Sequence, residues 1–207
     1  MDDVAEELRE RIYRGDYQPG EPLRQEQLAD DLQISRTPLR EAIRVLENEG
    51  LLHSERNRTV RVVTADLQRL NWAYQLREVV DGLAARLAAA SSDEAGRAAL
   101  GAIIDRQAEA LDPWEPGGYT RLNVEFHTAV IALTGNPYLR GQIPLVRMTS
   151  QVFSPVSLIE PGRASEAVGQ HRSIAQAIAQ GDGETSEGLA REHIRSTMAR
   201  ISPRDDG

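Results

Sequence analysis

The stretch from Glu26 to Leu52 restricts the fold of this chain more than any other part of the sequence. It contains two short helical patterns joined by a tight turn at residues 33–35. Ser35 is a preferred residue for capping the second helix, and Gly50 suits the position just after its last turn. The second pattern repeats apolar residues at the spacing of one buried helical face, namely Leu39, Ala42, Ile43 and Leu46. The stretch therefore predicts a helix-turn-helix.

The opposite face of the second helix is basic. Arg36, Arg40 and Arg44 are spaced by four residues, so their guanidinium groups should form one solvent-facing ridge. Ser35 and Thr37 add hydroxyl groups at the start of the helix. Arginine can fork onto guanine or clamp a phosphate, and hydroxyls and helix N-termini suit phosphate oxygens. The pattern predicts a recognition helix that enters the major groove of DNA.

The residues after Gly50 predict a second DNA-contacting element. HSERNRTVRVV, residues 53–63, has the pattern of two strands around a turn, which is the wing of a winged helix-turn-helix. Arg56 and Arg58 lie at the predicted tip, and Arg61 lies on the second strand. The alternative is a three-helix core whose basic face is merely solvated. The wing arginines favour the DNA-binding interpretation.

The first third of the chain resembles the amino-terminal domain of the GntR family of bacterial transcription regulators. The resemblance rests on GDYQPG at residues 15–20 and SRTPLREA at residues 35–42. It implies that Arg36, Thr37, Arg40 and the wing tip contact operator DNA. Many members of the family have glycine after the wing arginine, where this chain has Thr59.

Composition limits the other classes of function. The chain has 207 residues, a formal net charge of −8 and no cysteine, which excludes disulfides and thiolate metal sites. No apolar run reaches membrane-spanning length, and the acidic amino terminus does not resemble a signal peptide. We therefore expect a soluble cytoplasmic protein with no membrane partner. Residues 1–64 contain ten arginines and fourteen acidic residues, so DNA binding must depend on local charge.

The rest of the chain shows helical patterns only. Apolar periodicity predicts helices through Ala90, through Leu111 and over residues 119–133, 138–153, 163–179 and 184–201, the fourth of them bent near Pro144. The predicted fold class is therefore mainly α, with a winged helix-turn-helix domain at residues 1–64. An all-helical antiparallel bundle at residues 65–207 is expected to follow.

Three of the four histidines lie on different predicted bundle helices: His127, His171 and His193. Asn123 lies one turn before His127 and projects from the same helical face. For any single histidine, an unrelated and partly buried ring is the simpler interpretation. Three neutral imidazoles converging with a side-chain oxygen would nevertheless match what a divalent transition metal such as zinc or nickel accepts.

Nearly all of residues 66–200 resembles FCD, the effector-binding domain of the FadR subfamily of GntR regulators. The matching phrases are LREVVDGLAARLAA, NVEFHTAVIALTGNPYL, GQHRSIAQAIAQGD and AREHIRSTMARI. The resemblance implies a bundle that binds an effector and a metal held by Asn123, His127, His171 and His193.

Asparagine replaces the aspartate that is commoner at position 123 in that group. The missing negative charge should leave the site more positive and increase its attraction for a carboxylate. Arg77, which matches an arginine of the domain's first helix, is then expected to bind the carboxylate of a small organic acid. The alternative for Arg77 is an ion pair with Glu78 or Asp81.

The leading hypothesis is a ligand-responsive transcriptional regulator, most often a repressor in this family, that binds double-stranded operator DNA as a homodimer. No catalytic residue is expected. One alternative is a metal-dependent hydrolase, because three histidines with an open position also serve hydrolysis. Against it, Glu125 should face away from His127, and no other general base stands out. The other alternative is a DNA-binding protein with a purely structural bundle.

Overall fold

The structure is a computed structural model that describes residues 2–55, 59–64, 66–153 and 159–201, with side chains from residue 4 to residue 199 within those ranges. Its contacts divide the chain into two compact units. One consists of Met1–Ala65 with Gln151–Phe153, and the other contains the remaining residues. Each unit is described by itself.

The amino-terminal unit is a winged helix-turn-helix, as the sequence predicts. Its three strands form one antiparallel sheet in the order β1-β3-β2, in which Val60 pairs with both Leu23 and Ser54. The segment Pro22–Arg24 thus adds a third strand to the two that the sequence predicts. The elements are α1 (Asp2–Arg14), β1 (Pro22–Arg24), α2 (Gln25–Asp31), α3 (Arg36–Asn48), β2 (Leu52–Ser54) and β3 (Thr59–Val62).

The turn between α2 and α3 and both ends of α3 lie where the sequence predicts them. Gln33 adopts a left-handed φ of 54°, which reverses the chain between the helices. The apolar face of α3 is buried, and Gly50 ends the helix with a φ of 75°. Ser35 occupies the N-cap position, but its hydroxyl forms no capping hydrogen bond within the described residues. The predicted cap position is confirmed, and the hydroxyl at the start of α3 is not committed to the helix.

The second unit is a helical bundle organised around its first helix. That helix packs against the later helices at Pro116–Leu133, Ile143–Arg147, Pro161–Ala179 and Gly183–Ile201. It begins after Asp66, whose side chain accepts a hydrogen bond from the Arg69 amide at 2.7 Å. None of the described helices is both long and apolar enough to cross a membrane. The helices are α4 (Leu67–Ala89), α5 (Glu94–Glu109), α6 (Pro116–Leu133), α7 (Pro137–Arg140), α8 (Ile143–Arg147), α9 (Pro161–Ala179) and α10 (Gly183–Ile201).

The segment expected to be one bent helix at residues 138–153 is instead three short pieces. α7 ends at Arg140, and α8 restarts at Ile143 with Pro144 in its first turn, where a missing N–H costs no hydrogen bond. A π-helical turn, Met148–Val152, completes the segment. Proline therefore starts a new helix here rather than bending a continuous one.

Candidate metal centre and nucleic-acid interface

Three helices of the bundle bring three histidines together. α6 carries His127, α9 carries His171 and α10 carries His193, and all three side chains are buried. One ring nitrogen of each histidine lies within 4.8 Å of those of the other two. The Nε2 atoms of His171 and His193 are 3.3 Å apart. The convergence that was expected from separate helices is therefore present in the fold.

A side-chain oxygen lies next to the Nδ1 atom of each histidine. The three pairs are His127 with Asp81 at 2.6 Å, His171 with Gln107 at 2.9 Å and His193 with Gln170 at 2.7 Å. Carboxylate and amide oxygens only accept hydrogen bonds, so each Nδ1 donates one. Each Nε2 atom is then left with its lone pair, which is the form of imidazole that binds metals.

Burial favours the neutral form of the three imidazoles. It lowers the pKa of His193 to about 3 and holds the pKa of His171 well below its ordinary value. The pKa of His127 is also lowered by burial, although the neighbouring Asp81 carboxylate opposes that effect. Neutral imidazoles at ordinary pH need lose no proton before they bind a cation.

The distance between the two Nε2 atoms suits a shared cation. Two lone pairs that face each other at 3.3 Å repel, and a positive ion between them removes the repulsion. Two nitrogens bound to one tetrahedral zinc ion at roughly 2.0–2.1 Å would lie about 3.3–3.4 Å apart. The donor set therefore fits a divalent transition metal.

A small cavity adjoins this cluster. Its volume is about 10 Å³, and Asp81, His127 and His193 border it together with apolar side chains that include Phe126 and Ile174. That volume accepts an ion or a single water molecule. An organic acid would require the surrounding side chains to move.

Asp81 and Arg77 form a buried ion pair behind His127. Arg77 donates from Nε and Nη2 to the two carboxylate oxygens of Asp81, at 3.1 and 2.9 Å. Its Nη1 donates to the hydroxyls of Thr149 and Ser150, at 3.1 and 3.3 Å. Burial alone would raise the pKa of Asp81, but Arg77 and His127 hold that pKa well below its ordinary value. The ion-pair alternative for Arg77 is therefore what the structure contains, and the guanidinium does not face solvent.

Asn123 belongs to the same polar network. It is half-buried one turn before His127, and its amide nitrogen donates to Ser150 Oγ at 3.4 Å. Its amide oxygen is the atom that it could offer to an ion. Glu125, by contrast, lies on the outside of α6 and pairs with Arg106 at 3.0 Å, so it is no general base for the histidines.

The basic ridge of α3 is on the surface of the amino-terminal unit. The side chains of Arg36, Arg40 and Arg44 are exposed. Arg36 pairs with Glu26 and Arg44 pairs with Glu41, and such exposed pairs contribute only about 0–1 kcal/mol. Arg40 forms no ion pair with any described residue. The ridge can therefore exchange its partners for phosphates or bases at little cost.

The other predicted DNA contacts lie at the start of α3 and in the wing. Ser35 and Thr37 are exposed at the start of α3. Arg58 lies outside the described residues, as does the rest of the wing tip at 56–58. Arg61 binds Glu55 at 2.8 Å and the Gly20 carbonyl at 2.7 Å, so it helps to hold the wing sheet together.

Comparison with known families agrees with these features. The FCD domain matches residues 73–196, and the gntR family of bacterial regulatory proteins matches residues 1–62. The chain belongs to the FCD branch of the GntR family. It is accordingly a DNA-binding transcriptional regulator with an effector-binding domain.

Individual relatives of this GntR regulator support the same assignment. It is 25% identical to "Uncharacterized HTH-type transcriptional regulator YdhC" of Bacillus subtilis, over 91% of this chain and 83% of that protein. It is 27% identical to "Probable D-xylose utilization operon transcriptional repressor" of Paenarthrobacter nicotinovorans, over 99% and 91%. The structure of Escherichia coli McbR/YncC, 21% identical, has the same fold with a TM-score of 0.84 over 96% of this chain and 95% of that one. The gntR family and the relatives from Bacillus and Paenarthrobacter are described as regulators, which contradicts the hydrolase interpretation.

The sequence of this GntR regulator does not indicate the three oxygens that accept from the histidines. Its pattern indicates Asp81 only as a partner for Arg77, and it indicates no role for Gln107 or Gln170. The spacing of Arg77 and Asp81 by four residues was a usable signal. Gln170 precedes His171 in the chain but binds His193, a pairing that no sequence spacing indicates.

Proposed function

We propose that this GntR regulator is a repressor that senses a small organic acid through a divalent transition metal held by His127, His171 and His193. The observation that carries the proposal is the shared orientation of the three rings. Each Nδ1 is committed to an acceptor, the Nε2 atoms of His171 and His193 lie 3.3 Å apart, and one ring nitrogen of each histidine lies within 4.8 Å of those of the other two. Three such donors with an open position are typical of sites that exchange a ligand.

Asn123 is proposed as the fourth protein ligand, through its amide oxygen. Its position one turn before His127 supports this role, and so does its amide hydrogen bond to Ser150, which fixes the side chain. Replacing a carboxylate with an amide leaves a divalent ion with its full charge. Zinc and nickel are both compatible with imidazole and amide ligands.

An organic acid would complete the coordination of the ion. The adjoining cavity holds no more than a water molecule, so effector binding requires local opening. Arg77 Nη1, which faces hydroxyls rather than Asp81, is the group proposed to receive the effector's carboxylate. Exchange of the Thr149 and Ser150 contacts for a carboxylate would disturb the π-helical turn, which offers a structural consequence of binding.

The operator is proposed to bind the amino-terminal domain, residues 1–64, while residues 65–207 form the effector-binding and dimerisation domain. The proposed DNA contacts are Ser35, Arg36, Thr37, Arg40, Arg44 and Arg58. Exposure of the first five supports the assignment. The named function of the Paenarthrobacter relative supports repression. A bacterial operator-binding protein of this kind would act in the cytoplasm.

A homodimer is proposed because two recognition helices are needed for a pseudo-palindromic operator. An exposed apolar stripe on α4 supports it. The stripe consists of Trp72, Leu76, Val79 and Leu83, which are 40% to 58% exposed. Their spacing by four, three and four residues places them on one helical face, like the seam of a coiled coil. A second copy of α4 offers the complementary surface.

The decisive experiment is to measure metal content, operator affinity and effector response in one preparation. Bound zinc or nickel is expected at one ion per chain, and a thermal-shift screen of small carboxylates should give stabilisation that a chelator abolishes. His171→Ala is expected to lose the metal and the carboxylate response while it keeps operator affinity in the absence of effector.

His53→Ala is the matched control, because His53 is an exposed histidine outside the bundle. A metal-free protein that no carboxylate stabilises would refute the sensing mechanism. It would favour a purely structural bundle instead.

A further inference from the structure

Two uncharged amides stand behind two of the three histidines. Gln107 on α5 accepts from His171 Nδ1 at 2.9 Å, and Gln170 on α9 accepts from His193 Nδ1 at 2.7 Å. Gln107 is completely buried, and its Nε2 has no hydrogen-bond partner in the described part of the chain. Gln107 therefore forms the hydrogen bond to His171 with its amide oxygen, while its amide nitrogen is buried without a partner among the described residues.

The polar groups around the histidines carry no net charge. Asp81, the third acceptor, is a carboxylate, but the two hydrogen bonds from Arg77 pair it with an opposite charge. A carboxylate behind a metal-binding histidine makes that ligand more electron-donating, whereas an amide adds no charge. A divalent ion held by these imidazoles would keep nearly its whole double charge.

We propose that Gln107 and Gln170 are positioning residues that aim the Nε2 atoms of His171 and His193 at the ion without adding negative charge, so that the ion selects an anionic ligand over a neutral one. This inference rests on the proposed metal-dependent sensing and assigns its preference for an acid to two particular residues. The effector is an anion that bonds directly to the ion. A neutral sugar or amide of similar size is rejected.

The variant Gln170→Glu tests this directly. It keeps an acceptor at the same place, and Gln170 is only half-buried, so a charge is tolerated there. Titration with Co²⁺, followed by its visible absorption, is expected to show about tenfold tighter metal binding. In the Co²⁺-loaded protein, the preference for acetate over acetamide is expected to fall about tenfold.

Three further variants separate positioning from general damage. Gln107→Glu repeats the charge change behind His171. Gln170→Leu removes the acceptor and is expected to weaken Co²⁺ binding by roughly 10–100-fold. Gln176→Glu adds the same charge at an exposed position of α9. It is expected to change neither the affinity for Co²⁺ nor the preference for acetate over acetamide.

The outcomes distinguish the inference from the function on which it rests. If the unsubstituted chain binds no Co²⁺, the proposed metal site itself is wrong. If it binds Co²⁺ and both glutamate variants keep the acetate preference of the unsubstituted chain, the metal site stands and the role of the two amides is refuted. A parallel loss of Co²⁺ and acetate in the glutamate variants would also refute that role, because it would indicate structural damage only.

Discussion

The carboxylate of Asp81 accepts hydrogen bonds from two neighbouring side chains. It binds His127 through Oδ1 and Arg77 through both carboxylate oxygens, and all three side chains are buried. In water-free surroundings a charge is tolerated only when it is paired and hydrogen-bonded. Arg77 and Asp81 therefore depend on each other, because removing either side chain leaves the other as an unpaired buried charge.

This coupling gives a stability prediction for the chain without added metal. Asp81→Asn leaves the Arg77 charge buried and is expected to cost about 3–5 kcal/mol of unfolding free energy. Arg77→Met, which leaves the carboxylate beside His127 alone, is expected to cost a similar amount. The double variant should lose much less than the sum, as measured by urea denaturation. Strictly additive losses would show that the two side chains are energetically independent.

The arginine ridge gives a prediction about DNA. Arg40 is the member of the ridge that has no ion-pair partner among the described residues, so nothing needs to be broken before it meets a base. Arg40→Ala is expected to cost roughly 1–3 kcal/mol of operator affinity at fixed salt. Glu26→Gln should strengthen binding instead, because it releases Arg36 and removes a negative charge.

The control for the ridge is Arg172→Ala, which removes an exposed arginine of the bundle and changes the net charge equally. Operator affinity should not change in that variant. Equal effects of Arg40→Ala and Arg172→Ala would mean that only total charge matters and that Arg40 reads no base.

At the scale of elements, the best-predicted helices are those with strong local signals. α3 has an apolar face, a proline in its first turn and a terminal glycine, so the sequence predicts both of its ends within about two residues. The predicted end of α4 at Ala90 is one residue from its observed end. The segment after Asn136 has competing signals, since two prolines and Gly141 divide its apolar pattern. Its division into α7, α8 and a π-helical turn depends on packing that local sequence does not encode.

The π-helical turn is tied to the metal-site network through Thr149. Its hydroxyl donates to the Leu145 and Val146 carbonyls and accepts from Arg77. Thr149→Val keeps the shape but leaves Arg77 with one acceptor fewer, and is expected to cost about 1–3 kcal/mol of unfolding free energy.

The matched control is Thr128→Val in α6. The Thr128 hydroxyl makes the same pair of bonds to the carbonyls of Val124 and Glu125. No arginine contact to it is present among the described hydrogen bonds, so a loss clearly smaller than that of Thr149→Val is expected in thermal or urea unfolding. Equal losses in both variants would show that the hydrogen bond from Arg77 to Thr149 does not contribute to the free energy of unfolding.

At the scale of the whole molecule, sequence predicted the histidines but not the groups that orient them. His127, His171 and His193 were identifiable because histidine is rare here and each lies on its own helix. Gln107 and Gln170 are two of many surface-compatible glutamines, and only the packing of α5, α9 and α10 brings them to the rings. Residue types with special chemistry are thus recognisable in sequence, whereas ordinary polar residues gain their roles from the fold.

The apolar stripe of α4 is the surface through which the proposed dimer would assemble. A buried charge at the centre of a helix-helix seam is costly, so Leu76→Glu is expected to convert a dimer into a monomer in sedimentation equilibrium. Operator affinity should fall with it, because a monomer presents one recognition helix instead of two. Tyr138→Glu is the control, since Tyr138 is 85% exposed and lies outside the stripe. If Leu76→Glu remains dimeric while Tyr138→Glu dissociates, the seam lies elsewhere and α4 is only a solvated face.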